Sequence, residues 1–135
     1  MKIVIDTNDY ISSLIGKKHR DKLYLLLSNP SIQIFADTNL ISEIREVAYR
    51  EKFRKYITKE EVDIFIEVLS LRLTFINPTS VFFDCRDPDD NYLLSLAVDS
   101  ESEYLVTGDK KDLISLDPFK GIGIIRLQEL LDILG

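Results

Sequence analysis

The chain contains one cysteine and one histidine in 135 residues. Cys85, alone, excludes an internal disulfide framework and a cysteine-based zinc site. It reads as a small buried apolar residue, and so sparing a use of cysteine fits a reducing, cytoplasmic setting. His19 stands in the basic run Lys17-Lys18-His19-Arg20, where a solvated ring is expected, so the residues argue against a Cys–His catalytic pair. Long apolar runs are missing too: none approaches the roughly 20 residues that cross a bilayer, and no membrane association is expected. The first apolar run, Ile3 to Ile5, is too short for the core of a signal peptide, so no cleaved leader is expected. No Pro-, Gly- or Ser-rich linker divides the chain. Residues 1–135 therefore read as a single domain, able to bury about two-thirds of its unfolded surface without a disulfide or metal. Positive charge is also short, with 17 Lys and Arg against 23 Asp and Glu and a net charge of -6. That balance argues against indiscriminate nucleic-acid binding, while leaving room for an acidic pocket ringed by cations.

What the chain does have is a repeated pattern: a short apolar strand that ends in an acid. Ile3-Val4-Ile5 is apolar without alternation, as in a strand covered on both faces, and Asp6-Thr7-Asn8 follows at once. Ile32 to Ala36 is a second such strand, followed by Asp37-Thr38-Asn39. Tyr104-Leu105-Val106 is another, followed by Thr107-Gly108-Asp109. Thr74-Phe75-Ile76, closed by Asn77-Pro78, and a short strand from Gly121 to Ile125 complete the set. Between them lie helical spacings over 8–15, 23–27, 40–48, 62–71, 92–98 and 127–134, with Lys110 to Ile114 a short helix or turn. Gly16 and Ser28-Asn29-Pro30 act as stops. Thr58 and Glu61 form a capping box, and Asp87-Pro88 starts a helix with Asp89 and Asp90 in its first turn. Asp37 reads as a helix cap. The Arg45–Lys55 run, with Phe53 and Tyr56 interleaved, reads first as a solvated helical face. Alternation of strands and helices predicts a three-layer α/β/α fold on a mainly parallel sheet of four to five strands. Right-handed crossovers bring the strand ends to one edge, where α/β proteins form ligand sites.

Asp6, Asp37 and Asp109 leave strands at that edge, and Glu43 and Asp90 lie near helix starts that open from it. Clustered carboxylates repel, and such a cluster persists only when protons or cations neutralise it. Oxygen donors without Cys or His select Mg2+ or Mn2+ over zinc. Such an ion polarises phosphoryl oxygens and activates water, so the chemistry pointed to is metal-assisted hydrolysis of a phosphodiester.

Asp6-Thr7-Asn8 after the first strand, Glu43 in Ser42-Glu43-Ile44, Arg86-Asp87-Pro88-Asp89-Asp90 ahead of Tyr92-Leu93-Leu94-Ser95-Leu96-Ala97, and Leu105-Val106-Thr107-Gly108-Asp109 together resemble the PIN domain. The likeness is closest to the bacterial and archaeal toxin components of toxin–antitoxin systems, similar to VapC-type ribonucleases, and it runs along essentially the whole chain. The resemblance implies that Asp6, Glu43, Asp90 and Asp109 form an acidic quartet holding one or two Mg2+ or Mn2+ ions. Asp6 and Asp90 would be direct ligands, Asp109 would complete the shell, and Glu43 would hold a second ion or orient the attacking water. Asn8 and Thr107 would support the pocket, and Asp112 matches a more variable acidic position. The resemblance further implies an RNA substrate, a homodimer and a cognate antitoxin seated in a groove, which the helices between Leu23 and Leu71 could line. Lys17, Lys18, Arg20, Arg45, Arg50, Lys52 and Lys110 are candidates to steer phosphates. The alternative is a PIN-like protein that binds RNA or a partner without cutting. An aspartyl-nucleophile phosphatase would want a second Asp two places after the first, and position 8 is Asn.

Overall fold

The computed structural model describes residues 1–108 and 111–135, so Asp109 and Lys110 lie outside the described residues. Five short strands, β1 (Lys2–Ile5), β2 (Gln33–Ala36), β3 (Thr74–Phe75), β4 (Tyr104–Val106) and β5 (Gly123–Ile125), form one sheet in the spatial order β3-β2-β1-β4-β5. Every pairing is parallel, with Ile3 opposite Ile34 on one side of β1 and opposite Tyr104 on the other. The unalternating run Ile3-Val4-Ile5 is thus the central strand, wholly buried from both faces.

Seven α-helices connect and cover these strands among the described residues: α1 (Thr7–Ile15), α2 (Lys17–Leu27), α3 (Thr38–Ala48), α4 (Lys59–Arg72), α5 (Asn91–Asp99), α6 (Lys111–Ile114) and α7 (Leu127–Leu134). The chain winds outward from β1 to β2 and β3, then crosses back to β4 and β5. Right-handed crossovers place α1 to α4 on one face and α5 and α6 on the other. α5 packs on β1, β2 and β4, while α7 returns to rest against α2. The result is the expected three-layer α/β/α arrangement. Winding reverses between β1 and β4, and crevices in open α/β sheets form at such a switch point, outside the carboxyl ends of the strands.

Local signals account for most element ends. The Thr58 hydroxyl accepts from the Glu61 N–H at 3.1 Å, and the Glu61 carboxylate accepts from the Thr58 N–H at 3.1 Å, closing the capping box that starts α4. Two segments differ from expectation. Lys17 to Lys22 is the first half of α2, because no breaker separates it from Leu23-Leu27 and its charges reach solvent. The Arg45–Lys55 run is not one helical face. α3 ends at Ala48, whose carbonyl accepts from the Arg54 guanidinium as the chain turns back through a 3-10 turn at Glu51–Phe53. The connection from β3 to α5 is long, and three contacts hold it. Asp99 accepts from the Thr79 and Ser80 N–H groups, Phe82 meets Phe119 edge to face at 5.2 Å, and Cys85 N–H donates to Asn91 at 2.9 Å.

Candidate functional site

The two Asp-Thr-Asn triplets follow neighbouring parallel strands and start neighbouring helices, yet their aspartates do different things. Asp37 caps α3: its Oδ1 accepts from the Leu40 N–H at 2.9 Å and its Oδ2 from the Asn39 amide at 3.3 Å. Asp6 occupies the same position ahead of α1, but its carboxylate makes no capping bond there. Its Oδ2 instead accepts from the Thr107 hydroxyl at 2.8 Å, across the switch point from the end of β4. Both residues are wholly buried. The aspartate therefore faces the crevice between β1 and β4.

Beside this pair opens a cleft of about 670 Å³. Glu43 enters it from the second turn of α3, and Asp90 from the start of α5, buried to 2% exposure and not used as a side-chain cap. Asp87 and Asp89 flank Asp90. Asp87 caps a short 3-10 turn, Pro88–Asp90, through the Asp89 N–H at 3.0 Å, and α5 proper begins only at Asn91. Asn8 and Asn39, one from each triplet, stand at the rim.

Tyr92 projects from α5 into the same cleft, with its hydroxyl 3.2 Å from the Thr7 hydroxyl. Burial drives its phenol pKa up, and the charges of Glu43, Asp6 and Asp37 add to that, so it keeps its proton. The phenol thus feels carboxylates from α3 and from the residues that follow β1 and β2. Tyr92 read in sequence as one more apolar position of α5. The only hint was its place two residues after Asp90.

Of the candidate cations, only Arg50 lines this cleft among the described residues. Arg20, exposed, donates to the Ser13 and Leu14 carbonyls at the end of α1. Lys17 pairs with Asp21 at 2.9 Å and Arg45 with Asp63 at 3.6 Å. Lys52 lies over the Phe53 ring and Lys18 is exposed. His19 is not simply solvated: its Nε2 lies 3.0 Å from Oδ1 of the buried Asp9. Its pKa is lowered by burial and then by Lys22.

The donors that line the cleft are carboxylate, amide and phenol oxygens, with neither cysteine nor histidine among the described lining residues. Such a set fits a hard divalent cation rather than zinc. Among the described residues, no three Asp, Glu, His or Cys side chains are gathered closely enough to hold an ion by themselves. Asp109, the fourth acid expected from the sequence, lies outside the described residues.

Fold and cleft together define a three-layer α/β protein with an acid-lined crevice at the switch point of a parallel sheet. The chain belongs to the PIN domain family, whose model matches residues 2–111. PIN domains are generally nucleases. The chain is 36% identical over 118 residues to an uncharacterised protein of Methanocaldococcus jannaschii, a match spanning 86% of this chain and 75% of that relative. A solved structure similar in fold is VapBC2 of Rickettsia felis bound to a DNA fragment from its promoter. The match has a TM-score of 0.61 at 15% identity and covers 92% of this chain and 97% of that one. The family expected from Asp6, Glu43, Asp90 and the sequence Leu105-Val106-Thr107-Gly108-Asp109 is the family found.

Proposed function

We propose that this protein is a cytoplasmic endoribonuclease that hydrolyses RNA phosphodiesters with Mg2+ or Mn2+, and that it is the toxin of a type II toxin–antitoxin pair. The observation that carries the enzymatic reading is the Asp6–Thr107 bond. An aspartate at a helix-cap position is turned away from capping and held by the next strand at the switch point, next to a cleft into which Glu43 and Asp90 project. Asp6, Asp90, Asp109 and Glu43 would hold the ion. When bound, a divalent cation supplies Lewis acidity and offsets charge developing on the phosphoryl oxygens.

The chain's own groups do the rest. Thr107 fixes the direction of the Asp6 carboxylate. Glu43 orients the attacking water and takes its proton as the new P–O bond forms. The P–O bond to the leaving ribose oxygen breaks, and that oxygen is protonated from solvent. Asn8, exposed at the rim, donates to a phosphate oxygen. Tyr92, always protonated, braces Thr7 against the acids without adding a charge.

Incubation with RNA and Mn2+, with and without chelator, tests this. Cleavage is expected to need the metal and to fall by two orders of magnitude or more in Asp6→Asn and Asp90→Asn, the scale of losing one preorganised electrostatic group. Metal-independent cutting, or undiminished cutting in both variants, defeats the proposal.

The partner reading has separate support. Tyr24, Leu25, Ile64, Val68 and Leu71 stand exposed on α2 and α4, a concentration of apolar surface that marks a binding face more often than chance. Between them runs an apolar groove of about 390 Å³ floored by Leu69 and Phe65. A cognate antitoxin segment is the proposed occupant, with a homodimer as the working assembly. Co-purification with the product of the adjoining gene, with release of activity on its removal, tests the first. Light scattering tests the second.

A further inference from the structure

Four aspartates, Asp84, Asp87, Asp89 and Asp90, stand within residues 84–90. They are chemically alike, yet the fold treats them differently. Asp84, Asp87 and Asp89 are exposed, while Asp90 is 2% exposed and projects into the acid-lined cleft. Identical side chains cannot sort themselves, so the backbone that carries them has to.

Asp90 holds the N-cap position of α5, where an aspartate ordinarily turns its carboxylate onto the first free N–H groups of the helix. Its backbone is instead helical, at φ -95° and ψ -6°, and its side chain makes no capping bond. Its neighbours close the turn. The Asp87 carboxylate accepts from the Asp89 N–H at 3.0 Å, and the Asp87 carbonyl accepts from the Asp90 N–H at 3.1 Å. From the other side, Asn91 Oδ1 reaches back and accepts from the Cys85 N–H at 2.9 Å. The Cys85 side chain is buried at 4% exposure, so this bond ties the segment to the core. Asn91 thus closes a ring that contains Asp87, Asp89 and Asp90, and Pro88 stiffens it by fixing its own φ. Asp90 is next to the closing amide, so slack at that amide turns the Asp90 side chain first. Asp6 offers a parallel. It too is an aspartate at a cap position that does not cap, and a second side chain, Thr107, holds its direction. Thr107 acts on the carboxylate itself, whereas Asn91 acts on the backbone beneath one.

We propose that Asn91 is the positioning residue that selects Asp90 from its acidic neighbours and aims it into the cleft. The assignment rests on the metal-dependent ribonuclease reading above and deepens it by naming what aims one of the ion's ligands. An amide suits the post, because its oxygen accepts the Cys85 N–H without adding a charge beside Asp90.

The test uses the full chain with Mn2+ alone, and then with RNA and Mn2+. Binding of Mn2+ is followed by loss of the free ion's electron paramagnetic resonance signal. Asn91→Ala removes the acceptor and is expected to raise the Kd for Mn2+ by about 10–100-fold, the scale of losing a group that orients a metal ligand. The turnover number is expected to fall on the same scale with KM little changed. Asn91→Asp keeps an acceptor oxygen and is expected to restore most of both. Asn91→Gln, which displaces the acceptor by one methylene, takes the place of Asn91→Ala if that protein does not fold. Asp99→Asn loosens the same connection at Thr79 and Ser80 but leaves the Cys85–Asn91 ring closed, and is expected to bind Mn2+ like the wild type. A folded Asn91→Ala or Asn91→Gln protein with the wild-type Kd overturns the assignment, as does an equal loss in Asp99→Asn or no recovery in Asn91→Asp. The two readings fail separately. Metal-dependent cleavage indifferent to Asn91 removes the positioning alone. If the wild type neither binds Mn2+ nor cuts, the nuclease reading falls, and a crystal structure of Asn91→Ala decides the positioning: Asp90 turned out of the cleft upholds it, and Asp90 unmoved overturns it.

Discussion

At the scale of single residues, the two Asp-Thr-Asn triplets form an internal control. The same three residues follow two adjacent strands of the same sheet, and only the neighbour differs. Asp37 finds the Leu40 N–H, and Asp6 finds Thr107. A wholly buried hydroxyl–carboxylate bond has consequences for both stability and geometry. Thr107→Val keeps the shape and removes the donor, leaving a buried carboxylate oxygen short of a partner, so a loss of about 1–3 kcal/mol is expected in urea denaturation. Cleavage should fall through kcat more than KM, because the carboxylate is still present but no longer aimed, and Thr107→Ser should recover most of it. Asp37→Ala should behave in the opposite way. Losing a cap costs about 0.5–2 kcal/mol of stability, while turnover per folded molecule is expected to stay near wild type.

At the scale of elements, the sequence was legible wherever a device is local. Buried strands show as unalternating β-branched runs, the Thr58–Glu61 box shows as its own spacing, and Asp87-Pro88 shows as a helix start. Asp6, Glu43 and Asp90 could be brought to one edge because parallel strands with right-handed crossovers leave little choice. What stayed hidden depends on packing between distant elements. His19 meets Asp9 only because the chain doubles back at Gly16. The connection from β3 to Asp90 is another such case, secured by Asp99 on the last turn of α5. Hydrogen bonds from Ser80 and Thr79 hold the Asp99 carboxyl below its usual pKa range. A group whose pKa is lower folded than unfolded supports the fold above its unfolded pKa and loses that support as pH falls through the folded one. Protection of the Thr79 and Ser80 amides, relative to their intrinsic exchange rates, is therefore expected to be lost only as pH falls below the usual aspartate range. Asp99→Asn should show fast exchange at every pH, with no such acid transition. Equal protection in the two proteins at neutral pH would remove this staple from the account.

At the scale of the whole molecule, acids are not spread evenly, and their gathering around one cleft would, on the metal-dependent reading, make the fold itself respond to divalent cations. Glu43 and Asp90 line that cleft and Asp6 lies beside it, with Asp90 and Asp6 at 2% and 0% exposure, so the proposed ion would be held by the folded chain alone. An ion that binds the folded chain but not the unfolded one stabilises it by mass action, by about 2.7 kcal/mol when its concentration is one hundred times its Kd. Thermal denaturation should therefore show a wild-type midpoint that climbs with Mn2+ and falls back with chelator. In Asp90→Asn, Mn2+ should no longer raise the midpoint. A wild-type midpoint indifferent to Mn2+ would mean that these carboxylates are balanced by protons or by cationic side chains. The acids at the carboxyl edge would then owe their place to folding rather than to phosphodiester chemistry.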